Sequence, residues 1–490
     1  MFIADPEITS QYITTGHSHL KSPLETAFLN KFLGDKNMVS VEGAEWKSLR
    51  SVFNPGFAAS HLMTLSGYIV DASLEFCDVM REKAESNELF ELEEYTTRLT
   101  IDIIGKVVLD SDFKSQKSNH PIVDAFRQRV NIMPQASGPF DIGPMDLIRP
   151  LLLWWNGGKL DRLLGEELDM KLAARLSGNE NNAAKAFKDR KRSVIDLALD
   201  AYQKEMAENA SEKGKPTTNA QMRAGFRRQA IDSIKTFIFA GHDTTSSTIA
   251  YLLYLLHLRP QVHKKAVAEL DSIFGTGCST TDIAEAIKAE PHIINRLEYC
   301  TAVIKEVLRV FPPASTLRHI STEADPNKTF YVVDPKTGIK CPLAGAHVWP
   351  PMHLIGRNEA FFPQPADFIP ERFIPSQTPF PEAKLFTPAG KDAWRPFEKG
   401  PRNCIGQELA MIESKIILAL VVKTFDFVAE FDGKKLEKWT PIETAEEFAD
   451  NIDGAKRLTV EGHRCYQILK GSAKPVDGMP GRIYLRKGAN

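Results

Sequence analysis

One long apolar segment restricts the fold of this chain more than any other feature. Gln229–Leu258 carries hydrophobic side chains at helical spacing, which predicts a long buried helix. The centre of the segment reads GHDTTSST, and a helix that faces lipid would not tolerate so polar a run. The segment is therefore predicted to be the central helix of a soluble protein rather than a membrane span.

Helical periodicity also dominates the rest of the chain. Further helices are predicted at Met63–Lys83, Tyr95–Leu109, Arg192–Met206, Val262–Phe274, Leu297–Val310 and Gln407–Thr424. Strand patterns are fewer and come late, at Thr329–Val333, Gly338–Cys341 and Ala346–Trp349. Because the 490 residues show no clean domain boundary, we predict a single, mainly α domain with a small β-rich part.

The overall composition excludes several classes of protein. A formal net charge of −2 argues against nucleic acid as the main partner. None of the six cysteines stands at C-x-x-C spacing, which argues against a zinc site or a dense disulfide framework and favours a reducing compartment. The N-terminal sequence MFIADPEITSQYITT has neither a basic region nor an apolar run long enough for a signal peptide or a membrane anchor.

One cysteine occurs in an unusual setting, the stretch FEKGPRNCIGQELA. Cys404 precedes a predicted helix, and the positive end of a helix lowers the pKa of a thiol. Gly400 allows a left-handed turn, Gly406 removes a Cβ where a flat group could press, and Arg402 offers a guanidinium to a carboxylate. A lone cysteine before a helix is usually only buried, but that does not explain the complete pattern F-x-x-G-x-R-x-C-x-G. The pattern indicates a thiolate directed at a planar, acidic ligand.

The centre of the long helix breaks several local rules at once. Gly241 lies in a helix interior, where glycine costs roughly 1 kcal/mol relative to alanine. Asp243 and Thr244 follow it, and both are mediocre helix formers. A mid-helix threonine often only bonds back to a carbonyl one turn earlier. A glycine, an acid and an alcohol in one buried turn are more typical of a functional site.

Two pairs of residues lie one helical turn apart. Glu306 and Arg309 in KEVLR are close enough to form an ion pair, and Trp46 and Arg50 in WKSLR share a helical face. Each spacing is commonplace alone. The sequence PERF, which contains Arg372, follows the first pair and precedes the cysteine segment.

Together these motifs resemble the cytochrome P450 superfamily over nearly the whole chain. The resemblance implies that Cys404 is the axial thiolate ligand of haem b, that Phe397 packs beside it and that Arg402 pairs with a haem propionate. Glu398 stands where many members have glycine, and we expect it to alter the surface of the loop.

The same resemblance assigns roles to the other motifs. Glu306, Arg309 and Arg372 would form a buried structural triad. Trp46 and Arg50 would contact haem propionates, and so would either Arg318 or His319, between which the sequence does not choose. Gly241 would leave room for O2, Thr244 would hydrogen-bond the bound oxygen, and Asp243 would link a proton relay to solvent.

The function implied by the resemblance is monooxygenation. One atom of O2 would enter a lipophilic small organic substrate, and the electrons would come from NADPH–cytochrome P450 reductase. Lys391, Arg395 and Lys399 near the cysteine could help that reductase to dock. The wording FIFAGHDTTSS and PFEKGPRNCIGQELA is similar to filamentous-fungal members that act in secondary metabolism.

The N-terminal segment is expected to differ from that of most eukaryotic members of the family. Eukaryotic members usually carry a membrane anchor and first strands before the segment equivalent to FIADPE, and residues 1–490 are expected to be a single P450 domain without them. By resemblance the protein acts on the cytosolic face of the endoplasmic reticulum membrane.

Two alternatives to the monooxygenase function stay open: a haem-thiolate isomerase or dehydratase, and a truncated, non-catalytic haem-binding protein.

Overall fold

The computed structural model describes residues 1–13, 20–133, 144–177, 192–201, 219–320, 330–431, 434–435 and 463–486. Helices predominate among them. In chain order they are α1 (Pro6–Ile13), α2 (Pro23–Leu33), α3 (Gly43–Phe53), α4 (Ala59–Thr64), α5 (Ser66–Ser86), α6 (Leu92–Leu109), α7 (Pro121–Ile132), α8 (Pro144–Ser177), α9 (194–201), α10 (Asn219–Leu258), α11 (Pro260–Phe274), α12 (Thr280–Ala289), α13 (Glu298–Val310), α14 (Met352–Ile355) and α15 (Gln407–Val421). Short 3-10 helices lie at Asn54–Phe57, Pro291–Arg296, Pro370–Phe373, Lys384–Phe386, Pro388–Gly390 and Val476–Gly478.

The strands are short. They are β1 (Leu20–Lys21), β2 (Phe90–Glu91), β3 (Arg318–His319), β4 (Tyr331–Val333), β5 (Lys340–Pro342), β6 (His347–Val348), β7 (Phe425–Phe431), β8 (Lys434–Lys435), β9 (Gln467–Lys470), β10 (Ser472–Pro475) and β11 (Pro480–Leu485). One sheet has the order β1-β3-β6 and another the order β2-β11-β7-β8, while β4–β5 and β9–β10 are two-stranded. Each pairing between these described strands is antiparallel.

Local signals explain where several helices begin. Pro121 and Pro260 are the first residues of α7 and α11, where the missing N–H of proline costs no hydrogen bond. Ser279 caps α12 in a capping box: its Oγ accepts from Asp282 N at 3.2 Å, and its own N–H donates to Asp282 Oδ2 at 2.9 Å. The start of α12 is thus set by its own sequence.

The chain forms two compact units. The first unit contains Met1–Ser22, Ile69–Leu99 and Asp243–Asn490, and the second contains Pro23–Tyr68 and Thr100–His242. Helices α6 and α10 contribute residues to both units. The single domain expected from the sequence stays a prediction.

In the first unit, α13 and α15 form the centre of the core. The two helices pack against each other, and α13 also contacts the 3-10 helix Pro370–Phe373. Nearly every residue of α15 from Ile412 to Val421 is buried, which agrees with the continuous apolar run at Ile416–Val421. This packing fixes the start of α15, where the cysteine loop ends.

In the second unit, aromatic rings hold the first half of α10. The ring centroid of Phe237 lies 4.9 Å from those of Phe53 and Phe57, and that of Phe239 lies 4.4 Å from Phe32. Edge-on and tilted aromatic pairs of this kind add about 0.5–1.5 kcal/mol beyond the area they bury. They fix α3, which carries the WKSLR sequence.

Most predicted elements are confirmed, with shifted ends. The helices predicted at Met63–Lys83, Tyr95–Leu109, Gln229–Leu258, Val262–Phe274, Leu297–Val310 and Gln407–Thr424 correspond to α5, α6, α10, α11, α13 and α15. The helix predicted at Arg192–Met206 is observed over 194–201, and its remainder lies outside the described residues. The three late strands are observed as β4, β5 and β6, although Thr329 also lies outside the described part. No helix in the described ranges is long and apolar enough to cross a membrane.

Candidate active site

The loop before α15 turns back on itself and presents Cys404. Gly400 has the positive φ of +78° that its sequence context predicts. Asn403 N donates to Gly400 O at 3.1 Å, and Cys404 N donates to Phe397 O at 2.9 Å. Cys404 is solvent-exposed, and α15 begins shortly after it with Gly406 as the N-cap. The loop therefore holds an accessible thiol at the positive end of a helix.

The missing side chain of Gly406 leaves space beside the thiol. A Cβ added at this position would have Cys404 Sγ as its neighbour, at 3.9 Å. That distance is an ordinary van der Waals contact, so no other described group fills the space. The side of Gly406 that lacks a Cβ thus faces the Cys404 sulfur. A flat ligand bound to the sulfur needs this space.

Glu398 lies inside the loop and not on its surface, so the expectation that it alters the loop surface is wrong. It adopts a φ of +58° and is 9% exposed, and its Oε1 accepts a hydrogen bond from Arg395 Nε at 2.8 Å. Arg395 is itself 2% exposed. Because it is buried against Glu398, its expected role in docking a reductase is also wrong, whereas Lys391 is exposed and Lys399 is partly exposed.

Strand β3 separates Arg318 from His319. Successive residues of a strand point to opposite faces. The Arg318 side chain is buried, and its Nη1 makes no hydrogen bond to any described residue. Burial raises the pKa of Tyr12, Glu398 raises it further, and Arg395 and Arg318 oppose the rise. The His319 ring instead lies 4.7 Å from the ring of His347.

The structure brings Glu306, Arg309 and Arg372 together in one buried network. Arg309 Nε donates to Glu306 Oε2 at 2.7 Å, and Arg309 Nη2 donates to Oε1 at 2.8 Å. Arg372 Nε donates to the same Oε1 at 3.0 Å, and so does Ile369 N at 2.8 Å. All three charged side chains are essentially inaccessible. One carboxylate therefore balances two buried guanidinium groups.

The arginines also attach α13 to the segment that precedes the cysteine loop. Arg309 Nη1 donates to the carbonyls of Gly356 and Pro365, each at 2.8 Å. Arg372 Nη1 donates to Pro363 O at 2.9 Å. Backbone carbonyls with no strand or helix partner thus receive hydrogen bonds from side chains. The network keeps the proline-rich segment in place.

Helix α10 has one open stretch in an otherwise buried middle. Between Ala230 and Leu256 the accessible positions are Phe239, Ala240, Gly241 and Thr244. The last three lie on one face of the helix, at spacings of one and three residues. This face carries little side-chain bulk and one hydroxyl group.

Gly241 has a packing reason as well. A Cβ at this position would come within 2.8 Å of Ile104 Cδ1 and 2.9 Å of Ile104 Cγ1. Such contacts are too short for real side chains. A side chain at this position would therefore displace the tip of Ile104, and the close approach of α6 to α10 in the second unit favours glycine.

Asp243 is buried, and other groups bind both of its carboxylate oxygens. Its Oδ2 accepts from Ser472 N at 2.7 Å, and its Oδ1 lies 2.9 Å from Lys474 Nζ. The residue is 1% exposed, and its expected role in linking a proton relay to solvent stays a prediction. Sequence reasoning missed Ser472 and Lys474, because nothing in the local sequence GSAKP marks them as partners of a distant helix.

Trp46 and Arg50 lie one turn apart on α3, in the second unit. Trp46 is 8% exposed, and Arg50 is partly exposed with its Nε donating to Asn54 Oδ1 at 2.8 Å. The arginine is thus held by a neighbour on the next turn. Their predicted common face agrees with the helix observed at Gly43–Phe53.

Comparison with known proteins identifies the family. Residues 1–443 match the cytochrome P450 family model. Cytochrome P450 monooxygenase acrF of Aspergillus aculeatus is 34% identical, over 99% of this chain and 91% of its own length. Cytochrome P450 monooxygenase polC of Polytolypa hystricis is 32% identical, over 98% of this chain and 78% of its own length. The crystal structure of the cytochrome P450DA heme domain has the same fold, with a TM-score of 0.66, 17% identity and coverage of 99% of this chain and 87% of that one.

The residues at the cysteine loop fit the haem group that this family uses. An accessible thiol stands at a helix start, the backbone beside it carries no Cβ, and a buried guanidinium, Arg318, has an Nη1 with no hydrogen bond to a described residue. Enzymes of the family hold haem b through a cysteine thiolate, use O2 and a redox partner, and act on small molecules. The chain belongs to the cytochrome P450 family and is a haem-thiolate monooxygenase.

Proposed function

We propose that Cys404 is the thiolate ligand of haem b and that the enzyme oxygenates a lipophilic small organic substrate. The observation that carries the proposal is the accessible Cys404 thiol at the N-terminus of α15, in a loop that backbone hydrogen bonds hold. A helix N-terminus stabilises a thiolate, which is the form that binds metal. When bound, the haem supplies the activation of O2, and electron density from a thiolate favours cleavage of the O–O bond.

Several cationic side chains would bind the acidic groups of the haem. Arg402 lies in the cysteine loop, and Arg318 is buried on β3 with an Nη1 that makes no hydrogen bond to a described residue. Arg318 is therefore our choice over His319 for a propionate contact. By the family resemblance, Trp46 and Arg50 would add an indole N–H and a third guanidinium.

The open face of α10 would meet the substrate and O2. Ala240 and Gly241 give it little bulk, and Thr244 adds a hydroxyl. That hydroxyl would hold a proton donor in place, a positioning role that general acid catalysis requires. An apolar helix with one hydroxyl on its open face suits a lipophilic substrate better than a charged one.

Electrons would come from NADPH through NADPH–cytochrome P450 reductase, a separate flavoprotein. Lys391 is exposed and Lys399 partly exposed, and they offer positive charge near the cysteine loop. The similarity to monooxygenases of fungi such as Aspergillus aculeatus supports a role in fungal secondary metabolism. Such an enzyme would act at the cytosolic face of the endoplasmic reticulum membrane.

The test combines a spectrum with turnover. The reduced, CO-bound protein is expected to show the strongly red-shifted Soret band of thiolate ligation, and Cys404→Ala is expected to lose it. Cys341→Ala is the matched control, because Cys341 is also exposed but lies on β5. A Cys404→Ala protein that keeps the band would refute the ligand assignment.

Turnover separates the proposed reaction from its alternatives. With a reconstituted fungal reductase, a monooxygenase consumes NADPH and O2 as it forms an oxygenated product. An isomerase or dehydratase forms product without consuming NADPH. A non-catalytic haem-binding protein forms none, and profiling extracts of a host that expresses the chain would show this.

A further inference from the structure

Lys474 joins two carboxylates inside the first unit. It lies on β10, and its Nζ is 2.9 Å from Asp243 Oδ1 on α10. The same Nζ donates a hydrogen bond to Glu93 Oε1 in the first turn of α6. The side chains of Lys474 and Asp243 are 7% and 2% exposed, and that of Glu93 is 17% exposed. An ammonium group with two carboxylates is thus buried where three elements meet.

Neutral donors complete the cluster. Ser472 N donates to Asp243 Oδ2 at 2.7 Å, and Ser472 Oγ donates to the backbone carbonyl of Asp243 at 3.2 Å. Thr97 Oγ1 donates to Glu93 Oε1 at 2.8 Å. These contacts attach the β9–β10 hairpin to α10 at the residue next to Thr244.

The charges of the cluster depend on one another. Burial alone would lower the pKa of Lys474, but the nearby Asp243 and Glu93 carboxylates outweigh it and hold that pKa well above its usual value. Burial would raise the pKa of Glu93, yet its contacts with Lys474 and Thr97 lower it overall. One cation therefore binds both carboxylates, and without it two neighbouring negative charges would repel each other.

We propose that Lys474 is a positioning residue for the monooxygenase reaction: its ion pair holds Asp243 against the β9–β10 hairpin, and so fixes the helical turn that carries Thr244. The proposal rests on the proposed function of the open face of α10. Lys474 acts through Asp243, and it does not touch the reacting atoms.

Replacement of Lys474 by glutamine is expected to create a pH dependence that the parent enzyme lacks. Two buried carboxylates without a cation cannot both stay ionised, so the pKa of one of them rises. Below that raised pKa one carboxyl group is protonated, and the contact between Asp243 and the hairpin is weakened. Product formed per NADPH should then fall by up to about tenfold for each pH unit below it, and should recover as the pH rises.

Protein stability is expected to change in the opposite direction. A group whose pKa is raised in the folded state is tolerated best when protonated, so its folded form loses stability as the pH rises toward that pKa. The thermal midpoint of Lys474→Gln should therefore decrease with rising pH relative to the parent, while its coupling improves. A general structural defect would lower both quantities together. The thermal measurement needs no turnover, so it stands even where the proposed function fails.

Further variants separate charge from shape. Lys474→Arg keeps the cation and should retain flat coupling, as should the control Lys470→Gln, which changes an exposed lysine of the same hairpin. The double variant Glu93→Gln/Lys474→Gln removes one of the two carboxylates. It should move the acid loss of coupling to lower pH and restore haem content if the single variant loses haem.

Specific results would overturn the proposal. Coupling of Lys474→Gln that equals the parent from about pH 6 to 8.5, or a loss that does not vary with pH, would exclude the positioning role. A double variant that loses coupling at the same pH as Lys474→Gln would show that repulsion between the two carboxylates does not cause the pH dependence. An opposite thermal trend with unchanged coupling would show an ion cluster that serves stability alone.

Discussion

Removal of the Glu306 carboxylate is expected to unfold the haem-binding core. The group is fully buried and accepts from Arg309 Nε and Nη2, from Arg372 Nε and from Ile369 N, at distances of 2.7 to 3.0 Å. Glu306→Ala leaves two guanidinium groups in the core without a counter-charge. Breaking a buried ion pair by removal of one partner costs about 3–5 kcal/mol.

The total loss of unfolding free energy in Glu306→Ala should exceed the loss due to the ion pairs alone. The Ile369 N–H also loses its acceptor, and a buried donor without a partner costs about 1–3 kcal/mol. Typical domains have about 5–15 kcal/mol of stability, so the variant would retain little of it. Glu306→Gln keeps one acceptor oxygen but no charge, and should be destabilised less than Glu306→Ala.

The assay is haem content after purification together with unfolding in urea. Glu298→Ala is the matched control, since Glu298 is exposed at the start of the same helix and contributes about 0.3–1 kcal/mol through the helix dipole. We expect Glu306→Ala to be isolated largely without haem, and Glu298→Ala to resemble the parent. A Glu306→Ala protein with full haem content and an unfolding free energy within about 1 kcal/mol of the parent would refute the reasoning.

Three further predictions concern the loop and the helix face. Cys404→Ala should lose the red-shifted Soret band of the reduced CO complex, whereas Cys341→Ala should keep it. Thr244→Ala should keep haem and substrate binding but release peroxide, with product per NADPH reduced by about 10²-fold; unchanged coupling would exclude a role for the hydroxyl. Glu398→Gly should relieve about 1 kcal/mol of left-handed strain but lose about 3–5 kcal/mol with the partner of buried Arg395, so thermal unfolding should show net destabilisation. A glycine variant as stable as the parent would show that the ion pair contributes little.

The helices that the sequence predicts are those with an apolar stripe, and their ends are where prediction and structure differ. Helix α10 is predicted to begin at Gln229 but begins at Asn219. Its first turns, NAQMRAGFRR, carry no apolar periodicity, yet most of these residues are good helix formers. Apolar periodicity marks the buried face of a helix. It does not predict helical turns that lack an apolar stripe.

The sequence does not predict helices that contain helix-breaking residues or strands that pair with a distant segment. Helix α8 contains Pro150 and the pair Gly157 and Gly158, all of which normally argue against a long helix. The strands β7 and β11 pair with each other across a long sequence separation, with Gly481 opposite Ala429. Short strands of this kind are stabilised by partners that no local window contains.

In the site, too, features set by consecutive residues are predictable from the sequence, and features set by distant contacts are not. The spacing of Glu306 and Arg309, and the left-handed turn at Gly400, are written in a few consecutive residues, and the structure reproduces them. The burial of Arg395 is not, because it depends on Glu398 folding inward at a position where a glycine would leave the guanidinium alone. A basic residue near a functional loop is therefore weak evidence for a docking surface.

Asp243 shows why a motif can identify a site and still omit part of its chemistry. An isolated carboxylate buried to this degree would take up a proton, since the low-polarity interior penalises its charge. The oxygens of Asp243 are instead bound by Lys474 and by the N–H of Ser472, which follow Asp243 by more than two hundred residues and belong to no recognised pattern. The sequence around Gly241, Asp243 and Thr244 thus specifies which groups are offered to the reaction. The groups that bind the acid among them belong to a hairpin near the C-terminal end of the chain.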